Sequence, residues 1–210
     1  MKLLVLGATG GTGREVVAQA LRHGHDVTAF VRDPRKMAGT DGRLRVVVGS
    51  TTDGEGAVAQ AVRGQDVVVS ALGRRNSFRS SDLIARSMRA IVPAMESQGV
   101  QRLIVVSAYG VGDSGRDAAL LPRLMYRLLL RDIFADKKAG EDYLRRSGLD
   151  WTLVYPVALT NGPRTGRYRV GERLELRGVL PRISRADVAD FILTQLGSTA
   201  YRRKVAIISD

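Results

Sequence analysis

An apolar run, Leu3-Leu4-Val5-Leu6, passes without a break into Gly7-Ala8-Thr9-Gly10-Gly11-Thr12-Gly13 and then into a helix-like segment, Arg14–Arg22. A strand, a glycine turn and a helix in that order constrain this chain more than any other feature it carries. Glycine lets the main chain turn tightly and approach a ligand closely, and the helix N-terminus that follows offers free amides to an anion. A glycine-spaced motif alone is weak evidence, but between a strand and a helix it predicts a phosphate-binding turn at the start of a βαβ unit, with Gly7, Thr9, Gly10, Gly11, Thr12 and Gly13 as its members.

The rest of the chain repeats the alternation. Mostly apolar runs of strand length occur at Leu3–Leu6, Val27–Val31, Leu44–Val48, Val67–Ala71, Leu103–Val106, Trp151–Tyr155 and Val205–Ile208. They lack strict alternation, which predicts strands buried on both faces, as in a parallel sheet. Helix-like segments lie between them at Arg14–Arg22, Ala57–Val62, Asp82–Ser97, Asp136–Arg146 and Ala186–Leu196, with Gly24, Gly64, Gly99 and Gly148 suited to left-handed caps at their ends. Strand alternating with helix implies an α/β doubly wound fold. A chain of 210 residues, 44% of them apolar, can bury one sizeable core, so a single domain over residues 1–210 is expected.

The second strand ends in Val31-Arg32-Asp33. Sites selective for NAD carry an acidic side chain there, roughly 20 residues beyond the glycines, to bind the ribose hydroxyls. Here Arg32 stands 19 residues beyond Gly13. A guanidinium fork suits a 2′-phosphate, so NADPH is the expected cofactor, with Arg35 and Arg14 as helpers. A carboxylate of Asp33 directed into the pocket would weaken that selectivity.

Ligands of this fold bind beyond the carboxyl ends of the strands. The third strand is followed by Gly49-Ser50-Thr51, where Ser50 is placed for adenine-side contacts, and the fourth by Ala71-Leu72-Gly73, small enough for a cofactor to pass. After the fifth come Ser107-Ala108-Tyr109-Gly110 and after the sixth Tyr155-Pro156-Val157, two loops that would flank a nicotinamide. His23 and His25 fall in the turn before the second strand, at the opposite end of the sheet, which argues against a histidine-dependent triad or metal cluster.

The formal charge of +12 raises the possibility of a nucleic-acid partner. The basic residues are scattered, however, as 28 arginines and five lysines with no aromatic-interleaved stripe, so the field is expected to favour small anionic ligands instead. The chain has no cysteine, which excludes disulfides and thiolate chemistry and fits a reducing cytoplasm. The N-terminal apolar run reads as a strand rather than a signal peptide, and no stretch approaches the ~20 apolar residues of a membrane span. Oligomeric state is not indicated.

Together the glycine turn, Val31-Arg32-Asp33, Gly64-Gln65-Asp66, Ser107-Ala108 and Ser147-Gly148-Leu149 resemble the atypical short-chain dehydrogenases/reductases. Ala71-Leu72-Gly73-Arg74-Arg75-Asn76 and Ile183-Ser184-Arg185-Ala186-Asp187-Val188 extend the likeness toward biliverdin-IXβ reductase/flavin reductase and its bacterial NAD(P)H-binding relatives. The resemblance implies a mainly parallel Rossmann-like sheet of seven or eight strands with a small C-terminal substrate region. It also implies cofactor contacts from Gly7, Thr9, Gly10, Thr12, Arg32, Leu72, Gly73, Ser107 and Pro156.

Two departures bear on chemistry. Many such enzymes use a tyrosine four residues before a lysine; Lys137, or its neighbour Lys138, matches the lysine, but Ile133 occupies the tyrosine position. Where the biliverdin-reductase-like proteins carry a histidine after the sixth strand, this chain has Val157. Flavin reduction needs no dedicated protein acid, because a flavin can take its proton from solvent. The sequence therefore points first to an NADPH-dependent reductase of a flavin, quinone or similar planar acceptor. A carbonyl or enone reductase using Tyr109, Tyr126 or Tyr155 is a second reading, with Ser107 and Lys137 in support. A non-catalytic redox sensor, like the nitrogen-metabolite-repression regulators, is a third. The apolar segment Leu120–Leu130 is expected to be a packed helix or a lid.

Overall fold

The computed structural model describes residues 1–37, 42–73, 82–112, 131–176, 178 and 180–210. Arg74, Arg75, Asn76, Tyr126 and the segment Leu120–Leu130 lie outside the described residues. Within them the order is β1 (Lys2–Leu6), α1 (Gly11–Arg22), β2 (Asp26–Val31), a 3₁₀ turn (Pro34–Lys36), β3 (Leu44–Val48), α2 (Glu55–Val62), β4 (Val67–Ser70), α3 (Leu83–Ser97) and β5 (Arg102–Val106). There follow α4 (Arg131–Arg145), β6 (Asp150–Pro156), β7 (Ala158–Thr160), β8 (Arg169–Gly171), β9 (Arg182–Ser184), α5 (Arg185–Thr194) and β10 (Lys204–Ser209).

Eight strands form one sheet in the order β3-β2-β1-β4-β5-β6-β10-β8, parallel throughout except for β8, which runs antiparallel to β10. Strands β7 and β9 pair in parallel as a separate two-stranded sheet. This is the Rossmann arrangement that the alternation predicts. Its crevice opens beyond β1 and β4, neighbours whose connections leave in opposite directions.

Residues of β1 alternate between two apolar layers. Leu3 and Val5 pack with Val16, Val17 and Ala20 of α1 and Val188 and Ile192 of α5. Leu4 and Leu6 face the other way, against Val58 and Val62 of α2 and Met88, Ile91 and Met95 of α3. All four β1 leucines and valines are fully buried, so the unbroken apolar run is what a central strand covered on both faces requires. The edge strand β3 departs from that expectation: Val46 and Val48 are 36% and 59% exposed, because among the described residues only β2 flanks it.

Helix ends follow local chemistry in three cases and not in a fourth. Gly24, Gly64 and Gly99 adopt φ of 80°, 72° and 69°, the left-handed conformation that ends a helix cheaply only at glycine. Gly148 does not; the turn after α4 is closed by Ser147, whose hydroxyl donates to the Leu144 carbonyl at 2.7 Å and accepts from the Leu149 amide at 3.3 Å. Helix α4 is already formed at Arg131, ahead of the expected Asp136. Asp136 is instead a buried cap for a different helix, accepting from the amides of Ile84 at 3.1 Å and Ala85 at 2.9 Å at the start of α3. Gly140 lets the two helices meet, since a Cβ there would lie 2.9 Å from the Ile84 side chain.

Candidate functional site

The turn after β1 is built of main chain at contact distance. Gly7 has φ 76°, and a Cβ on it would lie 2.6 Å from the Ala71 carbonyl oxygen. A Cβ on Gly13 would sit 2.2 Å from the Gly7 carbonyl oxygen. The Gly10 amide donates to that same oxygen at 3.0 Å, which closes the turn. Gly10 caps α1 without any side-chain hydrogen bond, and no acidic residue stands in the first helical turn. First-turn amides have no partner within a helix, and among the described residues no side chain caps those of α1. An anionic diphosphate fits this cradle in both charge and clearance. Thr9 and Thr12 lie in the same turn, where Thr12 is buried.

Arg32 follows β2 at the rim, exposed and without an ion pair among the described residues. Asp33 is not free to compete for a ribose. Its carboxylate accepts from the Arg35 amide at 3.1 Å, from Arg35 Nε at 2.9 Å and from Nη2 at 3.3 Å, and Lys36 Nζ lies 3.8 Å away. The Arg35 guanidinium holds that carboxyl below its ordinary range. Arg14 is engaged as well: Nε donates to the Thr9 carbonyl at 3.0 Å and Nη2 to the Lys36 carbonyl at 3.1 Å, bracing the glycine turn against the 3₁₀ turn.

Farther along the rim, Ser50 sits in a local turn, its hydroxyl 2.8 Å from Thr52 Oγ1 and accepting from the Thr52 amide at 3.2 Å. Ala71, Leu72 and Gly73 follow β4, and a Cβ on Gly73 would meet nothing within 4 Å. The ends of β5 and β6 are tied together: the Ser107 amide donates to the Val154 carbonyl at 2.8 Å and the Tyr109 amide to the Pro156 carbonyl at 3.0 Å.

Beneath these loops lies a buried polar cluster. Ser107 Oγ donates to Glu141 Oε1 at 2.5 Å, and the Tyr155 hydroxyl donates to Glu141 Oε2. Glu141 is 4% exposed, and burial pushes its carboxyl up, against the two hydroxyl donors and the charges of Arg145 and Lys137. Burial and the neighbouring Glu141 push the Tyr155 phenol up as well. Lys137 stands one helical turn before Glu141; burial lowers its ammonium, opposed by Glu141 and Asp136. Lys138 points elsewhere, to Asp142 at 2.5 Å, so Lys137 is the lysine beside the cluster. Tyr109 is half-buried and packs against both apolar layers. Val157, where the resemblance places a histidine, is buried.

The C-terminal region, expected from the resemblance to border the substrate, is latched by side chains. Asp187 accepts from the amides of Thr165 at 2.7 Å and Gly166 at 2.8 Å and from the hydroxyls of Ser184 at 2.8 Å and Thr165 at 3.0 Å. Asp190 accepts from Arg164 Nε at 2.7 Å and the Tyr168 hydroxyl at 2.8 Å. His23 and His25 stay in the turn before β2, where His25 Nδ1 is 3.4 Å from the N-terminal amine. Among the described residues no cluster of metal-ligand side chains occurs, and no helix is long and apolar enough to cross a membrane.

Sequence reasoning missed Glu141, Asp136 and Asp187 as site-shaping residues. Glu141 was within reach of a helix-face reading, four residues after Lys137, and Ser184 to Asp187 has the spacing of a capping box. Asp136 gave no local signal, because the helix it caps is not its own.

A diphosphate cradle at the switch point of this sheet defines a nucleotide-binding protein of the Rossmann class. The family profile described as NAD(P)H-binding matches residues 7–199, and the chain belongs to that family. An uncharacterised chloroplastic protein of Arabidopsis thaliana is 32% identical over 176 residues, 79% of this chain and 61% of the plant protein, so the chain spans less than two-thirds of that relative. Among solved structures, an anaerobilin reductase from Escherichia coli O157:H7 is 24% identical with a TM-score of 0.81, covering 99% of this chain and 96% of its own. A short-chain dehydrogenase/reductase from Veillonella parvula, in complex with NADP, is 21% identical with a TM-score of 0.81, covering 100% of this chain and 94% of its own. At these identities both structures establish the fold alone.

Proposed function

We propose that this protein is an NADPH-dependent oxidoreductase that passes hydride to a planar acceptor of the flavin or quinone class. One observation carries the cofactor preference: Arg32 is exposed at the strand end and unpaired among the described residues, while the adjacent Asp33 is engaged by Arg35. A fork with no partner among the described residues suits a 2′-phosphate, and a carboxylate already held by a guanidinium is a poor ribose ligand. The NADP complex of the Veillonella protein and the reductase activity named for the Escherichia protein support this reading by analogy of fold.

NADPH supplies hydride from its nicotinamide when bound. In this reading Gly7, Gly10, Gly11 and Gly13 shape the diphosphate seat, with Thr9 and Thr12 beside it. Arg32 holds the 2′-phosphate, Ser50 borders the adenine, and Ala71, Leu72 and Gly73 let the cofactor pass. Ser107, Tyr109 and Pro156 border the nicotinamide, with Lys137 and Tyr155 behind them. The acceptor class follows from the state of the hydroxyls. Ile133 replaces the usual acid, and the Tyr155 hydroxyl is committed to Glu141, which favours an acceptor that takes its proton from solvent. Residues 1–210 act as one NAD(P)-binding unit, and a cytoplasmic setting suits this activity.

The test is NADPH oxidation, followed at its absorbance band, with riboflavin, FMN and a short-chain quinone as acceptors. Turnover above background with at least one is expected. Background rates with all three, alongside tight NADPH binding, would replace the reductase with a dinucleotide sensor.

A further inference from the structure

The glycine turn is crossed by a side chain from the other end of the sequence. Arg185 opens α5, yet a Cβ placed on Gly11, the first residue of α1, would lie 2.7 Å from Arg185 Cδ and 2.8 Å from its Nε. The arginine stem therefore lies on the bare main chain at the mouth of the cradle, a position that only glycine at residue 11 leaves open. Its Nη1 donates to Asn161 Oδ1 at 2.6 Å, and no carboxylate pairs with it among the described residues.

Root and anchor are both fixed. Ser184, just before Arg185, is tied to Asp187, and the loop that begins at Asn161 is held on α5 by three hydrogen bonds to Asp187 and two to Asp190. A guanidinium with no carboxylate partner is thus held at the cradle by a neutral amide alone. A helix N-terminus offers roughly half an elementary charge, whereas the diphosphate of a dinucleotide carries about two. Of the cations that the described residues place on this turn, Arg14 gives two nitrogens to main-chain carbonyls, whereas Arg185 gives one, to the Asn161 side-chain amide.

We infer that Arg185 is a cofactor-binding residue whose guanidinium donates to the diphosphate beside the N-terminus of α1. Resting on the NADPH reading above, the inference divides the labour of the two arginines. Arg32 discriminates the 2′-phosphate, and Arg185 binds the feature that NADPH and NADH share. Asn161 also ties the diphosphate seat to the 161–168 loop of the substrate region.

Four probes separate these roles: NADPH, NADH, ADP-ribose, which has the diphosphate without a 2′-phosphate, and 2′-AMP, which has the reverse. Dissociation constants are measured for wild type, Arg185→Gln, which keeps a stem over Gly11, and Arg185→Lys, with Tm recorded for each. Loss of Arg185 is expected to weaken NADPH, NADH and ADP-ribose by a common factor of roughly ten- to a hundredfold, with 2′-AMP unchanged and the Lys variant in between. ADP-ribose affinity within about twofold of wild type in the Gln variant would overturn the inference, as would an equal loss for 2′-AMP, the mark of a merely structural arginine. A wild-type protein that binds none of the four would overturn the NADPH reading and this inference together.

Discussion

The two ends of the crevice are held by different means. At the phosphate end, Gly7 and Gly13 pack main chain on main chain, and a methyl at either would lie 2.6 Å and 2.2 Å, respectively, from a carbonyl oxygen. At the other end, Glu141 of α4 ties Ser107 after β5 to Tyr155 of β6, and Asp187 of α5 holds the loop that follows β7. Main-chain walls tolerate no change of shape but make no demand on distant sequence. Side-chain latches can be varied residue by residue, which lets one nucleotide fold serve different acceptors.

The sharpest way to break this contrast is Gly13→Ala. Its Cβ would lie 2.2 Å from a carbonyl oxygen, so the expected loss is about 3 kcal/mol or more, with cofactor binding abolished. Near-normal denaturant unfolding with intact NADPH affinity would show that the phosphate end yields. At the other end, Asp187→Ala removes the hydrogen-bond acceptor for two amides and should cost about 2–3 kcal/mol. Limited proteolysis should then cut first within residues 161–168. A smaller effect, about 1–2 kcal/mol, is expected for Asp136→Ala, which uncaps α3; here NADPH affinity should stay within a few-fold, because the cap lies outside the cradle.

The smallest effect is a slope. The folded pKa of Glu141 stands above its ordinary value of 4.5, so folding takes up a proton between the two values. Its contribution to stability is then greatest below 4.5 and falls as pH rises through the folded pKa, with the loss complete above it. Glu141→Gln cannot ionise and should flatten that fall when Tm is followed from acid to neutral pH. An unchanged slope would assign it to other groups.

How much of this was readable in advance tracks the same division. The glycine turn, the central strands and Arg32 are local signals: φ requirements, unbroken apolar runs and a fixed distance from Gly13. Strands β7, β8 and β9 were missed because three residues carry no period. The C-terminal latches depend on contacts between residues some 20 positions apart, and the Asp136 cap joins residues 51 and 52 positions apart. The role of Asp33 was undecidable from sequence, since a carboxylate two residues before an arginine can face either the ribose or the guanidinium; it faces the guanidinium.

The most direct measurement is a fluorescence titration of wild type and Arg32→Ala with NADPH and NADH. Wild type should prefer NADPH by about tenfold or more, and Arg32→Ala should lose that preference by weakening NADPH while leaving NADH nearly unchanged. Equal affinity of wild type for the two cofactors, or an Arg32→Ala variant that keeps the preference, would contradict the assignment of Arg32 to the 2′-phosphate.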